Sequence, residues 1–354
     1  MAVRTALQNI LGNYDQVVIE GAGSPAEINL RASDIVNVTV ALECNADVYL
    51  VADIDRGGAF AHLLGTWSCL EAAEQALIKG FILNKFRGDS SLLGNAMDWL
   101  QAKTGIPTVA IIPMLPHTLP EEDTLHHRAL FDEQQINIAL IVYPYASNLD
   151  EFDPLIHESA VNVVPVREFT QLEKYHAVIL PGSKNTVESL QYIRQIGLAA
   201  EISRAAACGI PILGICGGLQ MLGKYIHDPY HLEGGNRIGL GLLDVETTLM
   251  PQKITTQRKV TVMGDSMGEV EGYEIHHGDT QAGTDVKPHL DNNLGWQQGN
   301  IWGVYLHGIM ENTAYRQHFL ARLGWQGQSR DWHASIENQL NSIAKVISQS
   351  GWLK

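Results

Sequence analysis

The stretch IPILGICGGLQMLG, residues 210–223, decides how the rest of the chain is read. Its apolar, partly β-branched run, residues 210–215, leads through Gly214-Ile215-Cys216-Gly217-Gly218 into a Leu/Met-rich segment at helical spacing. That pattern predicts strand, sharp turn and helix. A side chain on such a turn sits in strained backbone, and the flanking glycines remove Cβ atoms that would block close approach of strand, helix and substrate. Cysteine gains most there, because its thiol is intrinsically nucleophilic, a helix N-terminus favours the thiolate, and the next amide, that of Gly217, can face a developing oxyanion. A small buried cysteine in a Gly-rich turn is the plainer alternative.

The string GICGGLQMLG resembles the nucleophile elbow of the class I glutamine amidotransferases. Two further strings follow the order that family requires: LPGSKNT, residues 180–186, is similar to its oxyanion loop, and GVYLHG, residues 303–308, to the segment bearing its histidine. Within that family the resemblance is to the cobyric acid synthase branch, on PGSKNT, on YEIHHG at residues 273–278, and on EGAGSPAEINL, DIDRGG and NKFRGD in the first third of the chain. The resemblance implies Cys216 as nucleophile and His307 as proton shuttle, with glutamine as the nitrogen donor. It also implies a corrinoid carboxylate as acceptor, ATP and Mg²⁺ as cofactors, and successive amidation of four peripheral carboxylates (b, d, e and g) of adenosylcobyrinic acid a,c-diamide. Backbone amides around Gly182 and Ser183 are expected to supply a second oxyanion hydrogen bond beside that of Gly217. The family's usual Glu two residues after the histidine is replaced by Ile309, which leaves Glu311 as the candidate for the orienting third member. Another glutamine-dependent carboxylate amidotransferase would share the elbow but not the PGSKNT, DIDRGG and NKFRGD set. A P-loop partition-ATPase-type binding module with a decayed site is the alternative from a different class.

At 354 residues two domains are expected. A net charge of -15 argues against a nucleic-acid partner, which Lys/Arg clusters would have to hold. Four cysteines, at 44, 69, 208 and 216, are too few and too irregular for a disulfide framework or a zinc site. With no signal peptide and no apolar run long enough to span a bilayer, a cytoplasmic location without a membrane partner is expected.

The first domain, residues 1–113, reads as an amphipathic helix followed by β-α repeats, hence a parallel sheet. Residues 17–20 read as a buried strand whose end carries Glu20 and the loop glycines Gly21 and Gly23. There Glu20 could hold Mg²⁺ and the glycines could let phosphate oxygens reach backbone amides, or the segment is an ordinary βα turn. Residues 48–52 read as a second strand delivering Asp53, Asp55 and Arg56 to the same edge, for substrate or as a solvated ion pair. A third strand ends at Asn84, which the resemblance to dethiobiotin-synthetase-type ATPases offers as a reader of the nucleotide base. No G-x-x-x-x-G-K-[ST] occurs. The chain therefore looks like an N-terminally shortened member with weak ATP binding of its own, and a separate chain could supply the nucleotide-binding half.

Residues 114–135 read as a linker, with His126 and His127 as solvated residues. Residues 136–312 are expected to form the amidotransferase domain, flavodoxin-like, and residues 313–354 a helical tail without chemistry. Within the second domain a helix is expected over residues 191–208 with Cys208 in the core. Antiparallel strands are expected over residues 247–279, where His276 or His277 could contact substrate or serve structure. The fold class is thus α/β: a partial P-loop ATPase fold followed by a class I amidotransferase domain, each built on a parallel sheet.

Overall fold

The protein's computed structural model describes residues 2–117, 119, 129–264 and 267–350. It divides into two units, Met1–His117 with Asn338–Lys354, and Thr118–Glu337. His126 and His127 lie outside the described residues. Among the described residues no helix is long and apolar enough to cross a membrane.

In the first unit the elements are α1 (Ala2–Asn13), α2 (Val38–Cys44), β1 (Val48–Asp53), α3 (Ala59–Cys69), α4 (Ala72–Gln75), β2 (Ile78–Phe86), α5 (Ala96–Thr104) and β3 (Thr108–Pro113). The three strands form a parallel sheet in the order β1-β2-β3. Alternation along β2 splits the core: Phe81 and Leu83 pack with Leu50, Leu63 and Leu100, while Ile82 meets Ala110, Ile112 and Ile347 in a smaller cluster.

The strand expected over residues 17–20 does not form. A parallel strand needs a hydrogen-bonded neighbour and cover on both faces. Here β1 is the sheet's edge, and Val18 is 94% exposed. The segment is instead pinned by Asn37, whose side-chain amide donates to the Ala22 carbonyl at 2.8 Å.

The second unit runs β4 (Ile136–Ile141), β5 (Ala146–Ser147), α6 (Asp153–Ile156), β6 (Val161–Val166), β7 (Ala177–Leu180), β8 (Gly182–Ser183), α7 (Thr186–Gln195), α8 (Leu198–Ala207), β9 (Ile212–Ile215) and α9 (Gly217–Leu222). It continues with β10 (Tyr225–His227), β11 (Arg237–Ile238), β12 (Val245–Thr261), β13 (Glu269–Ala282), β14 (Lys287–Leu290), β15 (Gly295–Gln298), β16 (Ile301–Val304), β17 (Leu306–His307) and α10 (Thr313–Arg322), and α11 (Trp332–Gln349) belongs to it only up to Glu337. Its main sheet has the order β14-β15-β16-β9-β7-β4-β6, parallel from β16 to β6 and antiparallel at the other edge. A second sheet, β11-β10-β12-β13-β17, is built on the long β12–β13 hairpin.

The single helix expected over residues 191–208 is two helices, because Gly197 takes φ +82° and turns the chain between α7 and α8. Cys208, expected in the core, is exposed. It sits just past the end of α8, beyond the stripe of Leu198, Ile202 and Ala205 that faces the core. The tail expected as one piece is shared: α10 lies in the second unit, whereas residues from Asn338 onward belong to the first.

Candidate active site

The elbow forms as its glycines require. Cys216 closes β9 with φ 50° and ψ −105°, a left-handed conformation that non-glycine residues seldom hold, and Gly217 opens α9. A Cβ on Gly214 would lie 2.6 Å from the Gly218 carbonyl carbon, and one on Gly218 would overlap the Leu180 carbonyl oxygen. Strand, turn and helix therefore close only because both side chains are absent. Gly218→Ala must push backbone against backbone, and is expected to cost at least about 2 kcal/mol, read as a lower urea midpoint with unchanged slope.

Topology brings His307 to the thiol. β16 lies parallel to β9 with Val304 opposite Ile215, and the Cys216 N–H donates to the Val304 carbonyl at 2.8 Å. One residue later the chain leaves this sheet and enters the other, as β17, where His307 stands opposite Tyr273 of β13. His307 is 1% exposed and hydrogen-bonds Cys216. The Cys216 Sγ–H also donates to the Ile275 carbonyl at 3.4 Å.

The group orienting the imidazole is Glu151, not Glu311. Glu151 Oε1 lies 3.2 Å from His307 Nδ1, and its Oε2 accepts from the Gly308 N–H at 3.1 Å. It is 3% exposed, on the short 3-10 turn Leu149–Phe152. Glu311, half-buried, lies beside Gly308 and 3.7 Å from His333. Burial by itself would lower the His307 pKa, but the Glu151 charge and the hydrogen bonds to Cys216 and Glu151 outweigh it, pushing it up to about 10. The imidazole thus holds its proton at neutral pH.

The three residues expected at the oxyanion loop converge on this centre. A Cβ on Gly182 would lie 2.9 Å from His307 Cε1, and one on Gly217 would lie 3.0 Å from the Ser183 amide nitrogen. Gly217 is the first residue of α9, so its N–H has no carbonyl four residues back to bond. The Ser183 hydroxyl bonds that of Ser189 at 2.8 Å and accepts from the Asn185 N–H. Sequence reading missed the clamp behind the loop. Glu233 accepts from the Thr186 and Val187 N–H groups at 2.5 and 3.0 Å, on a loop that buried Asp228 ties down through three backbone N–H groups. Of the paired histidines, His276 is buried and bound to Glu274 at 2.8 Å, and burial lowers its pKa despite that carboxylate. His277 Nδ1 lies 3.0 Å from the Met250 carbonyl.

In the first unit, Asp53 faces Asn84 across the β1–β2 ladder, at the carboxyl end of both strands. Asp53 meets Lys85 at 3.2 Å and Arg56 at 3.4 Å, and Asp55 meets Arg87 at 2.9 Å, so these charges satisfy one another as an exposed network. Asn84 accepts from the Lys85 N–H. Glu20, Gly21 and Gly23 lie on an exposed segment that forms no strand. Among the described residues no group of three or more His, Cys, Asp or Glu is placed to hold a metal ion.

A family model for the CobB/CobQ-like glutamine amidotransferase domain matches residues 137–315, and one for an AAA domain matches residues 2–122. The chain is similar to the cobyric acid synthase of Deinococcus radiodurans, 50% identical over 328 residues that span 90% of this chain and 68% of that protein. The cobyric acid synthase of Polaromonas naphthalenivorans is 48% identical, over 89% of this chain and 69% of its own length. That of Acaryochloris marina is 44% identical, over 91% and 68%.

Proposed function

Because the chain belongs to the cobyric acid synthase family, we propose that its second unit hydrolyses glutamine at Cys216 and supplies the ammonia for amidation of corrinoid carboxylates. The observation that supports this most is one buried line of three groups, with the thiol, the imidazole of His307 and the carboxylate of Glu151 in hydrogen-bonding sequence.

The chemistry follows from that line. His307 carries its proton on Nε2 while Glu151 holds Nδ1, and the Cys216 sulfur, as the thiolate beside that imidazolium, attacks the side-chain amide carbon of glutamine. Charge that develops on the amide oxygen is met by the Gly217 N–H and by the Gly182–Ser183 loop, which Glu233 keeps in place. His307 then protonates the departing nitrogen, so that ammonia leaves and a thioester remains. Water, deprotonated by the now neutral imidazole, releases glutamate.

In the complete reaction ATP activates the acceptor carboxylates, the b, d, e and g positions of adenosylcobyrinic acid a,c-diamide, because a carboxylate at neutral pH is not an electrophile. Glu20, Gly21 and Gly23 do not form the end of a strand and its following loop that a cradle for ATP and Mg²⁺ would use, since they lie on an irregular exposed segment. No phosphoryl step is therefore assigned to them.

The test is a glutamine-shaped electrophile followed by peptide mass mapping. A single adduct on Cys216, protected by excess glutamine, is expected together with ammonia release from glutamine. An adduct on Cys44, Cys69 or Cys208 instead, or no glutamine protection, overturns the assignment.

A further inference from the structure

Tyr273 lies directly opposite His307 in the β13–β17 ladder, and the two rings stack with centroids 5.2 Å apart and planes 14° from parallel. The approach is as close as backbone allows, since a Cβ on the preceding residue, Gly272, would overlap the His307 carbonyl oxygen. Nor is the phenol left to turn. Asn148 Nδ2 donates to its hydroxyl at 2.6 Å. Asn148, in left-handed backbone with φ 56°, opens the same turn, Leu149–Phe152, that carries Glu151. One short turn therefore reaches the imidazole twice, in its plane through Glu151 and on its face through Asn148 and Tyr273.

A carboxylate on Nδ1 fixes one direction in the plane of the ring but leaves the ring free to tilt about that hydrogen bond. A stacked aromatic face removes the tilt, which matters because proton transfer from Nε2 to the departing nitrogen falls steeply with misalignment. We propose that Tyr273 is a positioning residue for His307, aiming Nε2 at Cys216, and that Asn148 fixes Tyr273 in turn. This rests on the glutaminase reading of the same site. A part in proton transfer for the phenol itself is disfavoured: burial, then the Glu151 charge, push its pKa up to about 12. A π face against an imidazolium also favours the protonated ring, so its loss lets His307 release its proton at lower pH.

The experiment compares the full chain with Tyr273→Leu, Tyr273→Phe and Asn148→Ala, by steady-state glutamine hydrolysis against pH and by NMR titration of His307. Tyr273→Leu is expected to lower kcat about tenfold or more with KM within about twofold, and to move the alkaline limb and the His307 titration to lower pH. Tyr273→Phe keeps the ring face and is expected to stay within about threefold of the parent protein. Wild-type kcat and titration in Tyr273→Leu, or a loss in Tyr273→Phe equal to that in Tyr273→Leu, overturn the proposal. Should Tyr273→Leu not fold, Asn148→Ala is expected to move the His307 titration in the same direction by less, and an unmoved titration overturns it. Failure of the glutaminase reading is seen separately, as a parent protein that releases no ammonia from glutamine, and the NMR titration still decides the stack.

Discussion

Cys216→Ser is expected to lower glutamine hydrolysis by on the order of 10⁴-fold or more, while leaving the fold and the affinity for glutamine near those of the parent. Serine fits the elbow, since one oxygen replaces one sulfur and the positive φ is tolerated alike by both residues. What fails is the proton balance. With its pKa near 10, His307 is an imidazolium at neutral pH, suited to stand beside a thiolate and unsuited to take a proton from a hydroxyl. Steady-state ammonia release measures kcat, glutamine-dependent thermal shift measures binding, and the two should separate. Activity within tenfold of the parent would remove sulfur from the reaction.

Glu151→Gln is expected to lower kcat by about 10²- to 10⁴-fold. The amide oxygen can still accept from the Gly308 N–H, so local structure is retained. Its NH₂ cannot accept the hydrogen bond that the carboxylate now accepts from Nδ1–H, so the neutral imidazole is left in the wrong tautomer. The sign of the pH effect follows from charge: Glu151 stabilises the imidazolium, so removing it lowers the His307 pKa, and the alkaline limb of the rate profile moves to lower pH. Glu311→Gln serves as the matched control, expected within about twofold, because that carboxylate pairs with His333 while Glu151 is the one bound to Nδ1 of His307. If the two variants change the rate equally, Glu151 is not the orienting group.

The parts of the site that sequence conveyed are those with a local physical signature. An apolar run, a cysteine and paired glycines define the elbow within a few residues, and the Gly182 loop and His307 each end a strand in a similarly compact string. Glu151 has no such mark. It stands 156 residues before its partner, in a turn whose Asn148-Leu149-Asp150 sequence signals only a change of direction. Asn148, Tyr273 and Glu233 share that difficulty, because each works through a contact made by the tertiary fold. Residues 17–20 failed in the opposite way. Val17, Val18 and Ile19 have strand-like composition, but a strand exists only where a neighbour pairs with it, and no property of four residues reports that. The Gly197 break was legible in principle: a glycine inside a helical pattern either costs stability or ends the helix, and here it ends it.

Between Val304 in one sheet and Leu306 in the other stands a single residue, Tyr305, its hydroxyl bonded to Gln220 and Thr280. Side chains alternate faces along a strand, so a one-residue insertion or deletion anywhere from 304 to 307 would send the imidazole to the wrong side of the ladder. Descendants of this chain can lengthen the surface turns around it freely. Across these four positions they must keep count.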